Sequence, residues 1–339
     1  MSEKILEVNN LKTSFYTHLG EVQAVRGVNF SVDKGEVLGI VGESGSGKSV
    51  TSMSLIKLVS YPGKIKDGEI IFKGENLVNK TKKDMLNIRG EKISMIFQDP
   101  MTSLNPVYRI GDQIVEAITM HQGLNKTKAR KKAIEMLKKV GIPSPEDRID
   151  NYPHEFSGGM RQRAMIAIAL SCEPDLLIAD EPTTALDVTI QAQIMELLRK
   201  LKDEIDTSII LITHDLGVVA DTCDKISVMY GGLIMENGTA EDIFYNPKHP
   251  YTMGLLKSIP RMDLKEEGRL VPIEGTPPDL LNPPEGCPFA ARCPYTMKIC
   301  EKELPKNYRF DDEHYASCWL LDENAPEVEL DTGVKRGEL

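Results

Sequence analysis

The sequence predicts an α/β fold: a mostly parallel sheet with flanking helices, antiparallel N-terminal strands, a helical subdomain, and a small, irregular, Cys-rich C-terminal domain. Short apolar runs at 37–41, 176–179 and 208–213 have the length and composition of buried strands. Helical periodicity lies between them, for example at 110–122. Four cysteines crowd into residues 287–318, a segment too short to build a core of its own. These features indicate one large α/β core followed by a minor domain.

Residues 42–49 have the pattern of a phosphate-binding loop. They follow a predicted strand and precede a helix-forming stretch, and they read Gly42, Glu43, Ser44, Gly45, Ser46, Gly47, Lys48 and Ser49. The glycines allow a tight turn in which several backbone N–H groups converge on one anion, and the helix N-terminus adds its positive end. Lys48 is expected to reach the β- and γ-phosphates. The Ser49 hydroxyl is expected to bind Mg²⁺, which prefers oxygen ligands.

Composition narrows the possible partners and location. The 339 residues carry 41 Lys and Arg against 51 Asp and Glu, and this net charge of −10 gives no electrostatic footprint for DNA or RNA. The apolar runs are far shorter than the roughly 20 residues of a membrane-spanning helix. The N-terminus lacks the apolar core of a signal peptide. We therefore expect a soluble, intracellular protein, with no nucleic-acid partner, that lies against a membrane component.

Polar side chains follow three of the predicted strands. Gln98 comes after one strand, Asp180 and Glu181 end another, and His214 follows a third. In open α/β sheets the ligand lies beyond the carboxyl ends of the strands, so these side chains are placed to meet what the phosphate loop holds. Asp180 is expected to hold Mg²⁺ directly or through water. Glu181 is expected to polarise an attacking water.

A second anion site is predicted where a long helix begins. Ser157 is a good N-cap, and Gly158 and Gly159 leave the first N–H groups bare. An aromatic residue at the end of the first strand, Phe15 or its neighbour Tyr16, could stack on a nucleotide base, or the ring could simply pack in a core.

Composition also suggests domain boundaries. Residues 1–245 carry the phosphate loop, the polar residues at strand ends and the anion site at a helix start, and residues 246–286 are rich in proline, which predicts a linker or irregular arm. Residues 287–321 form the Cys-rich region, and residues 322–339 form an acidic tail that we expect to be disordered.

This ordered set of motifs resembles the ATP-binding subunit of an ABC transporter over residues 4–238 and implies a P-loop ATPase core. By resemblance, Gly42–Ser49 are the Walker A loop, Gln98 the Q-loop glutamine, Ser157–Gln162 the signature motif, Asp180 the Walker B aspartate, Glu181 the catalytic glutamate, Asp187 the D-loop aspartate, His214 the switch histidine and Phe15 the adenine-stacking aromatic, with Tyr16 as its alternative. The family also implies that Ser49, Gln98 and Asp180 bind the Mg²⁺ ion.

Three further stretches, residues 98–106, 246–252 and 287–294, resemble the dipeptide/oligopeptide importer class and extend the likeness to about residue 320. That class implies ATP hydrolysis at the cytoplasmic face of the membrane, in partnership with a second, related ATPase subunit, two membrane permeases and an extracellular binding protein. A nickel or oligosaccharide importer of the same class stays open. A soluble ABC ATPase acting on ribosomes is disfavoured, because such proteins commonly carry two ATPase cassettes and this chain has a single P-loop. One acting on DNA ends is disfavoured too, because only 109 positions separate Lys48 from Ser157, too few for the long coiled coil that such proteins insert there.

The spacing of Cys287, Cys293, Cys300 and Cys318 leaves their role open. Five, six and seventeen residues separate them, which matches neither structural zinc pairs nor bacterial ferredoxins. A cross-link would order this Pro-rich segment, and thiolate–metal bonds can supply one. Spacing alone leaves both a metal site and simple buried thiols open, and the importer resemblance favours iron over zinc, as an iron–sulfur cluster of the 4Fe-4S type. We expect its role to be structural, because nothing near the four residues suggests an electron partner. Cys293→Ser is then expected to disorder the arm and spare nucleotide binding. Cys172 and Cys223 are expected to be buried thiols.

Overall fold

A computed structural model describes residues 3–99, 103–184, 186–259, 272–328 and 330. The chain forms two compact units, each assembled from separate stretches. One contains Leu6–Val32, Glu36–Val78 and the described part of Thr213–Leu339, and is called here the loop unit because it carries the phosphate loop. The other consists mainly of Asn79–Ile212, with Asp33–Gly35 and the N-terminal residues to Ile5, and is called the signature unit.

The loop unit contains an antiparallel sheet and part of a mixed one. The first sheet has the order β2-β1-β4-β5, with β1 (Lys4–Thr17), β2 (Gly20–Asp33), β4 (Gly63–Phe72) and β5 (Glu75–Asn76). The second has the order β11-β12-β10-β9-β3, with β3 (Val37–Val41), β9 (Lys225–Tyr230), β10 (Leu233–Thr239), β11 (Tyr308–Arg309) and β12 (Tyr315–Ala316). β3 pairs with β9 in parallel, and the other pairs are antiparallel. The helices are α1 (Lys48–Leu55), α8 (Leu216–Ala220), α9 (Ala240–Tyr245), α10 (Pro250–Lys257) and α11 (Lys298–Lys302).

The signature unit contains three parallel strands in the order β8-β7-β6: β6 (Ile93–Ile96), β7 (Leu176–Asp180) and β8 (Ser208–Thr213). Its helices are α2 (Lys82–Ile88), α3 (Ile110–Gln122), α4 (Lys126–Lys139), α5 (Pro145–Arg148), α6 (Gly158–Leu170) and α7 (Val188–Ile205). β7 and β8 are buried along their whole length, as their unbroken apolar runs predict. The predicted apolar face of α4 is confirmed, since Ala133, Met136 and Leu137 are all buried.

The Pro-rich stretch is more regular than predicted. Residues 250–257 form the helix α10, because Pro250 occupies the first turn, where its missing N–H costs nothing, and the His249 ring caps the helix by accepting the Tyr251 N–H at 3.0 Å. In the Cys-rich region, β12 pairs with β10 and covers an edge that would otherwise be unpaired. Part of the predicted linker (260–271) and most of the acidic tail (329 and 331–339) lie outside the described residues.

None of the helices in the described ranges is long and apolar enough to cross a membrane.

Candidate nucleotide-binding site

The phosphate loop closes so tightly that two of its positions admit only glycine. A Cβ atom at Gly42 would lie 2.1 Å from the Met229 carbonyl oxygen, and one at Gly47 would lie 2.4 Å from the Ala24 carbonyl oxygen. Both residues have positive φ, +150° and +104°. The loop therefore rests on neighbouring backbone, and the glycines of the motif are needed for packing as well as for the turn.

Lys48 is the first residue of α1 and is almost completely buried. Its Nζ donates hydrogen bonds to the carbonyl oxygens of Gly42 at 2.7 Å and Glu43 at 2.9 Å. The Ser46 carbonyl accepts the Gly232 N–H from the β9–β10 turn at 3.0 Å. The next helical residue, Ser49, is exposed. The ammonium group, the helix N-terminus and an accessible hydroxyl are thus gathered in one loop, as a phosphate site requires.

Two C-terminal residues hold Glu43 in this loop. The Glu43 N–H donates to the Tyr251 hydroxyl at 2.9 Å, and the Glu43 carboxylate accepts two hydrogen bonds from Arg292. The bond to Glu43 raises the pKa of the Arg292 guanidinium above its ordinary value, and burial raises the pKa of Tyr251. Sequence reasoning assigned neither residue a role, although both lie in stretches that carry the importer resemblance.

The tip of β7 presents a carboxylate that is held from two sides. Asp180 ends the strand and is buried, and Glu181 follows with an unusual φ of +47°. Glu181 Oε2 accepts hydrogen bonds from Gln98 Nε2 at 2.7 Å and from Thr184 Oγ1 at 2.8 Å. A non-glycine residue at positive φ is strained, and such strain gathers at functional sites. The structure thus brings predicted residues Gln98 and Glu181 together and adds Thr184, which the sequence pattern did not single out.

The signature segment opens α6 as predicted. Ser157 caps this helix by accepting the Met160 N–H at 3.3 Å, and both Ser157 and Gly158 are exposed. The N-terminus of α6 is therefore accessible to an anion. Gly159 packs near Ile190, where an added Cβ would lie 3.1 Å from the isoleucine Cγ2.

The remaining predicted nucleotide residues lie at element ends. Asp187 caps α7 by accepting the Ile190 N–H at 3.0 Å, and Ala185 before it lies outside the described residues. His214 belongs to the loop unit, directly follows β8 and is exposed. Phe15 is half-buried, and an added Cβ at Gly63 would lie 2.7 Å from its Cε1 atom. Its neighbour Tyr16 is 44% exposed.

All six cysteines of the chain are free thiols. Cys172 and Cys223 are buried, as predicted. Burial raises the pKa of Cys287 and of Cys318 to about 12, and the charges of Cys287, Cys293 and Cys300 add to the effect on Cys318. The Cys287 N–H also donates to the Cys300 carbonyl at 2.7 Å. The four C-terminal cysteines therefore share one locality.

Comparisons with known proteins agree with this site. Residues 25–184 match the ABC transporter family, and residues 235–300 match the oligopeptide/dipeptide transporter C-terminal region. The oligopeptide transport ATP-binding protein OppD of Bacillus subtilis is 57% identical over 98% of this chain and 93% of its own length. The dipeptide transport ATP-binding protein DppD of the same organism is 56% identical over 98% of this chain and 99% of its own length.

Solved structures agree as well. A dimeric ATP-binding cassette, MJ0796, bound to ADP and Pi, is similar with a TM-score of 0.63 and 27% identity, and the likeness covers 69% of this chain and 98% of that one. The phosphate loop, the strand-end carboxylates and the C-terminal region therefore lead to one conclusion. This chain belongs to the ABC transporter family, as an ATP-binding protein of the oligopeptide and dipeptide transport type.

Proposed function

We propose that this chain is the ATP-hydrolysing subunit of an importer for dipeptides or oligopeptides. The observation that carries the cargo assignment is the match of residues 235–300 to the oligopeptide/dipeptide transporter C-terminal region. An ATP-binding cassette alone serves many cargoes, whereas this region carries the description of oligopeptide and dipeptide transporters. Relatives named for oligopeptide and dipeptide transport match nearly the whole chain, and they favour peptides over nickel or oligosaccharides.

In this function, Gly42–Ser49 hold the triphosphate and Glu181 polarises the water that attacks the γ-phosphate. The two donors on Glu181 Oε2, from Gln98 and Thr184, fix the direction of the carboxylate before the substrate arrives. His214 follows a neighbouring strand and is proposed to act on the same γ-phosphate. Phe15, or Tyr16, would stack on the adenine.

Mg²⁺ fits the side chains proposed to hold it. Ser49, Gln98 and Asp180 offer a hydroxyl, an amide carbonyl and a carboxylate, which are the oxygen ligands that this hard cation prefers. Bound there, Mg²⁺ neutralises charge on the β- and γ-phosphates.

The proposed assembly contains a second ATPase subunit, related to this chain but not identical, whose own signature segment completes each ATP site. The exposure of Ser157 and Gly158 supports this arrangement, because their helix N-terminus is accessible to a phosphate held by another subunit. The dimeric state of the similar MJ0796 cassette supports it as well. Two membrane permeases and an extracellular binding protein complete the importer, and this chain lies at the cytoplasmic face of the membrane as a peripheral subunit.

We further propose that Cys287, Cys293, Cys300 and Cys318 hold an iron–sulfur cluster of the 4Fe-4S type. The donor set fits, since four neighbouring thiols are the usual ligands of such a cluster. A single zinc ion fits less well, because tetrahedral zinc bonds of about 2.3 Å place thiolate sulfurs only about 3.8 Å apart. Among the described residues, Asp242, Asp311 and His314 form a group whose ligand atoms all lie within 4.8 Å of one another. The four cysteines do not belong to such a compact group, as ligands of one zinc ion would. A bound cluster would supply the cross-link that this Pro-rich region lacks.

Co-purification tests the importer assignment. The chain, tagged at its natural level and extracted from membranes in mild detergent, should bring down two permeases and a second ATPase. A peptide-loaded binding protein should then stimulate ATP hydrolysis by the complex. Stimulation only by a nickel- or sugar-loaded binding protein would contradict the peptide assignment, and association with ribosomes or DNA instead of permeases would contradict the whole function.

A further inference from the structure

Arg292 lies next to Cys293 but contacts the phosphate loop. Its two terminal nitrogens donate to the two Glu43 carboxylate oxygens at 2.5 and 3.0 Å, in the bidentate geometry that matches a guanidinium to a carboxylate. The Arg292 side chain is only 4% exposed and the Glu43 side chain is 27% exposed. This pair therefore differs from a surface ion pair, which typically contributes little.

The other donors of Arg292 are also used. Its Nε donates to the Glu274 carbonyl at 2.9 Å, and its terminal nitrogens reach the Ile273 carbonyl at 2.9 Å and the Tyr230 hydroxyl at 3.0 Å. The guanidinium also lies over the Tyr230 and Phe289 rings, at 5.7 and 6.0 Å from their centroids. Such a planar fork of donors cannot be reproduced by lysine, which has a single ammonium group. The environment is thus built around an arginine.

An aromatic cluster joins this arginine to the backbone of the same loop residue. Tyr230, Tyr251 and Phe289 pack with ring centroids 4.5 to 5.4 Å apart. Tyr251 accepts the Glu43 N–H, so both the backbone and the side chain of Glu43 are bonded to residues that follow the ATPase core in sequence. Phe289 lies between Cys287 and Arg292 in the chain, so the Cys-rich region, here also called the cysteine segment, forms part of this aromatic cluster.

The orientation of the Glu43 backbone matters for Lys48. Lys48 Nζ donates to the carbonyl oxygens of both Gly42 and Glu43. Glu43 lies between Gly42, which packs against the Met229 backbone, and Gly45, where an added Cβ would meet nothing within 4 Å, so the bonds to Glu43 restrain the side of the loop that neighbouring backbone leaves open. A restraint on Glu43 therefore fixes both the loop N–H groups and the lysine that meet the phosphates.

We propose that Arg292 is a positioning residue for ATP binding. Through Glu43 it holds the phosphate loop in its binding conformation, and it thereby makes nucleotide affinity depend on the folded cysteine segment. This inference rests on the proposed nucleotide site at Gly42–Ser49. It goes beyond that site by assigning the C-terminal region a direct part in ATP binding.

The test compares Arg292→Gln, Arg292→Lys, Glu43→Ala and the double variant Arg292→Gln/Glu43→Ala. ATP affinity is measured with a fluorescent ATP analogue, and kcat and KM are measured in the assembled transporter. Each single variant should raise Kd and KM at least about tenfold, equivalent to roughly 1.4 kcal/mol, and the fall in kcat/KM should come mainly from KM, because the altered contact acts on the loop that binds the phosphates before the reaction begins. The double variant should be no weaker than the worse single variant, because both substitutions break one contact.

Arg309→Gln is the matched control. Arg309 lies in the same C-terminal region, is exposed, and its guanidinium lies over the Tyr315 ring at 5.6 Å from the centroid. The Arg309→Gln variant should bind ATP with wild-type affinity. Limited proteolysis of each variant reports whether the C-terminal region stays folded, and Glu43→Ala tests the contact even if Arg292→Gln does not fold.

Unchanged Kd in both Glu43→Ala and folded Arg292 variants would overturn the proposal and leave Arg292 as an anchor of the C-terminal region. Additive losses in the double variant would overturn it too. Lys48→Ala tests the nucleotide site separately: ATP binding at wild-type affinity by this variant would refute the site itself, whereas its loss together with unaffected Arg292 variants refutes only the positioning role.

Discussion

Replacing Glu181 by glutamine should nearly abolish ATP turnover and leave ATP binding intact. Glu181 Oε2 accepts one hydrogen bond from Gln98 and one from Thr184, and the carbonyl oxygen of a glutamine can accept both. The side chain keeps its length, so the geometry at the end of β7 should survive. A neutral amide, however, cannot accept a proton from the attacking water.

The expected size of the effect follows from that single chemical change. Loss of a positioned general base costs roughly 10²–10⁴-fold in rate, or about 3–5 kcal/mol of transition-state stabilisation. Binding should not weaken, since the substitution removes a negative charge near an anionic triphosphate. With hydrolysis blocked, ATP should hold the two ATPase subunits together in a stable dimer.

The assay is phosphate release by the assembled transporter at saturating ATP, with equilibrium binding of a fluorescent ATP analogue measured in parallel. Glu196→Gln is the control, because Glu196 is exposed on α7 of the same unit. This variant should hydrolyse ATP at the wild-type rate. A wild-type rate for Glu181→Gln would show that Glu181 is not the catalytic carboxylate. Loss of ATP binding would show that the variant disturbs the site, contrary to the geometry described.

Four other predictions concern assembly, metal content, the variant Cys293→Ser and pH. The isolated chain should be a poor ATPase because Ser157–Gly159 must come from an opposing subunit, and robust activity where sedimentation shows only monomer would contradict this. Anaerobic purification should yield iron and acid-labile sulfide, whereas stoichiometric zinc without sulfide, or no metal, would refute the cluster. From the sequence, Cys293→Ser was expected to disorder the arm and spare nucleotide binding. Because the neighbouring Arg292 bonds Glu43, this variant should weaken ATP binding as well. Unchanged ATP affinity in Cys293→Ser would contradict this revised prediction. Burial lowers the pKa of His249 from 6.5 to about 3. Between these values the unfolded chain binds a proton that the folded chain does not, so stability should fall as pH decreases, by up to roughly 1.4 kcal/mol per pH unit. His249→Asn, which keeps an acceptor at the α10 N-cap, should flatten that part of the pH dependence of the urea midpoint, and an equal slope in both proteins would exclude His249 as its source.

Local sequence signals were sufficient for most core elements. The strand Ser208–Thr213 and the helix Ile110–Gln122 have the boundaries that their patterns predict, and Ser157 caps α6 as expected. These signals come from residues close together in the chain. They are the repeat of apolar residues every 2 positions in a strand or every 3.6 in a helix, and the side chains that accept hydrogen bonds from the first turn of a helix. The same approach was wrong about Pro250–Lys257, because a count of prolines ignores that one of them occupies a favourable N-terminal position.

The sequence also established the phosphate loop and the polar residues at strand ends, because the required residue types lie close together in the chain. It could not show that Arg292 bonds Glu43 across 249 positions, that Gln98 meets Glu181 across 83, or that Tyr251 supports the loop backbone. Those contacts arise when the fold brings distant segments together, and the polar groups that it buries, such as those of Arg292 and Tyr251, must find partners within the protein. No local pattern records which partner that will be, so the link between the cysteine segment and the phosphate loop is visible only in three dimensions.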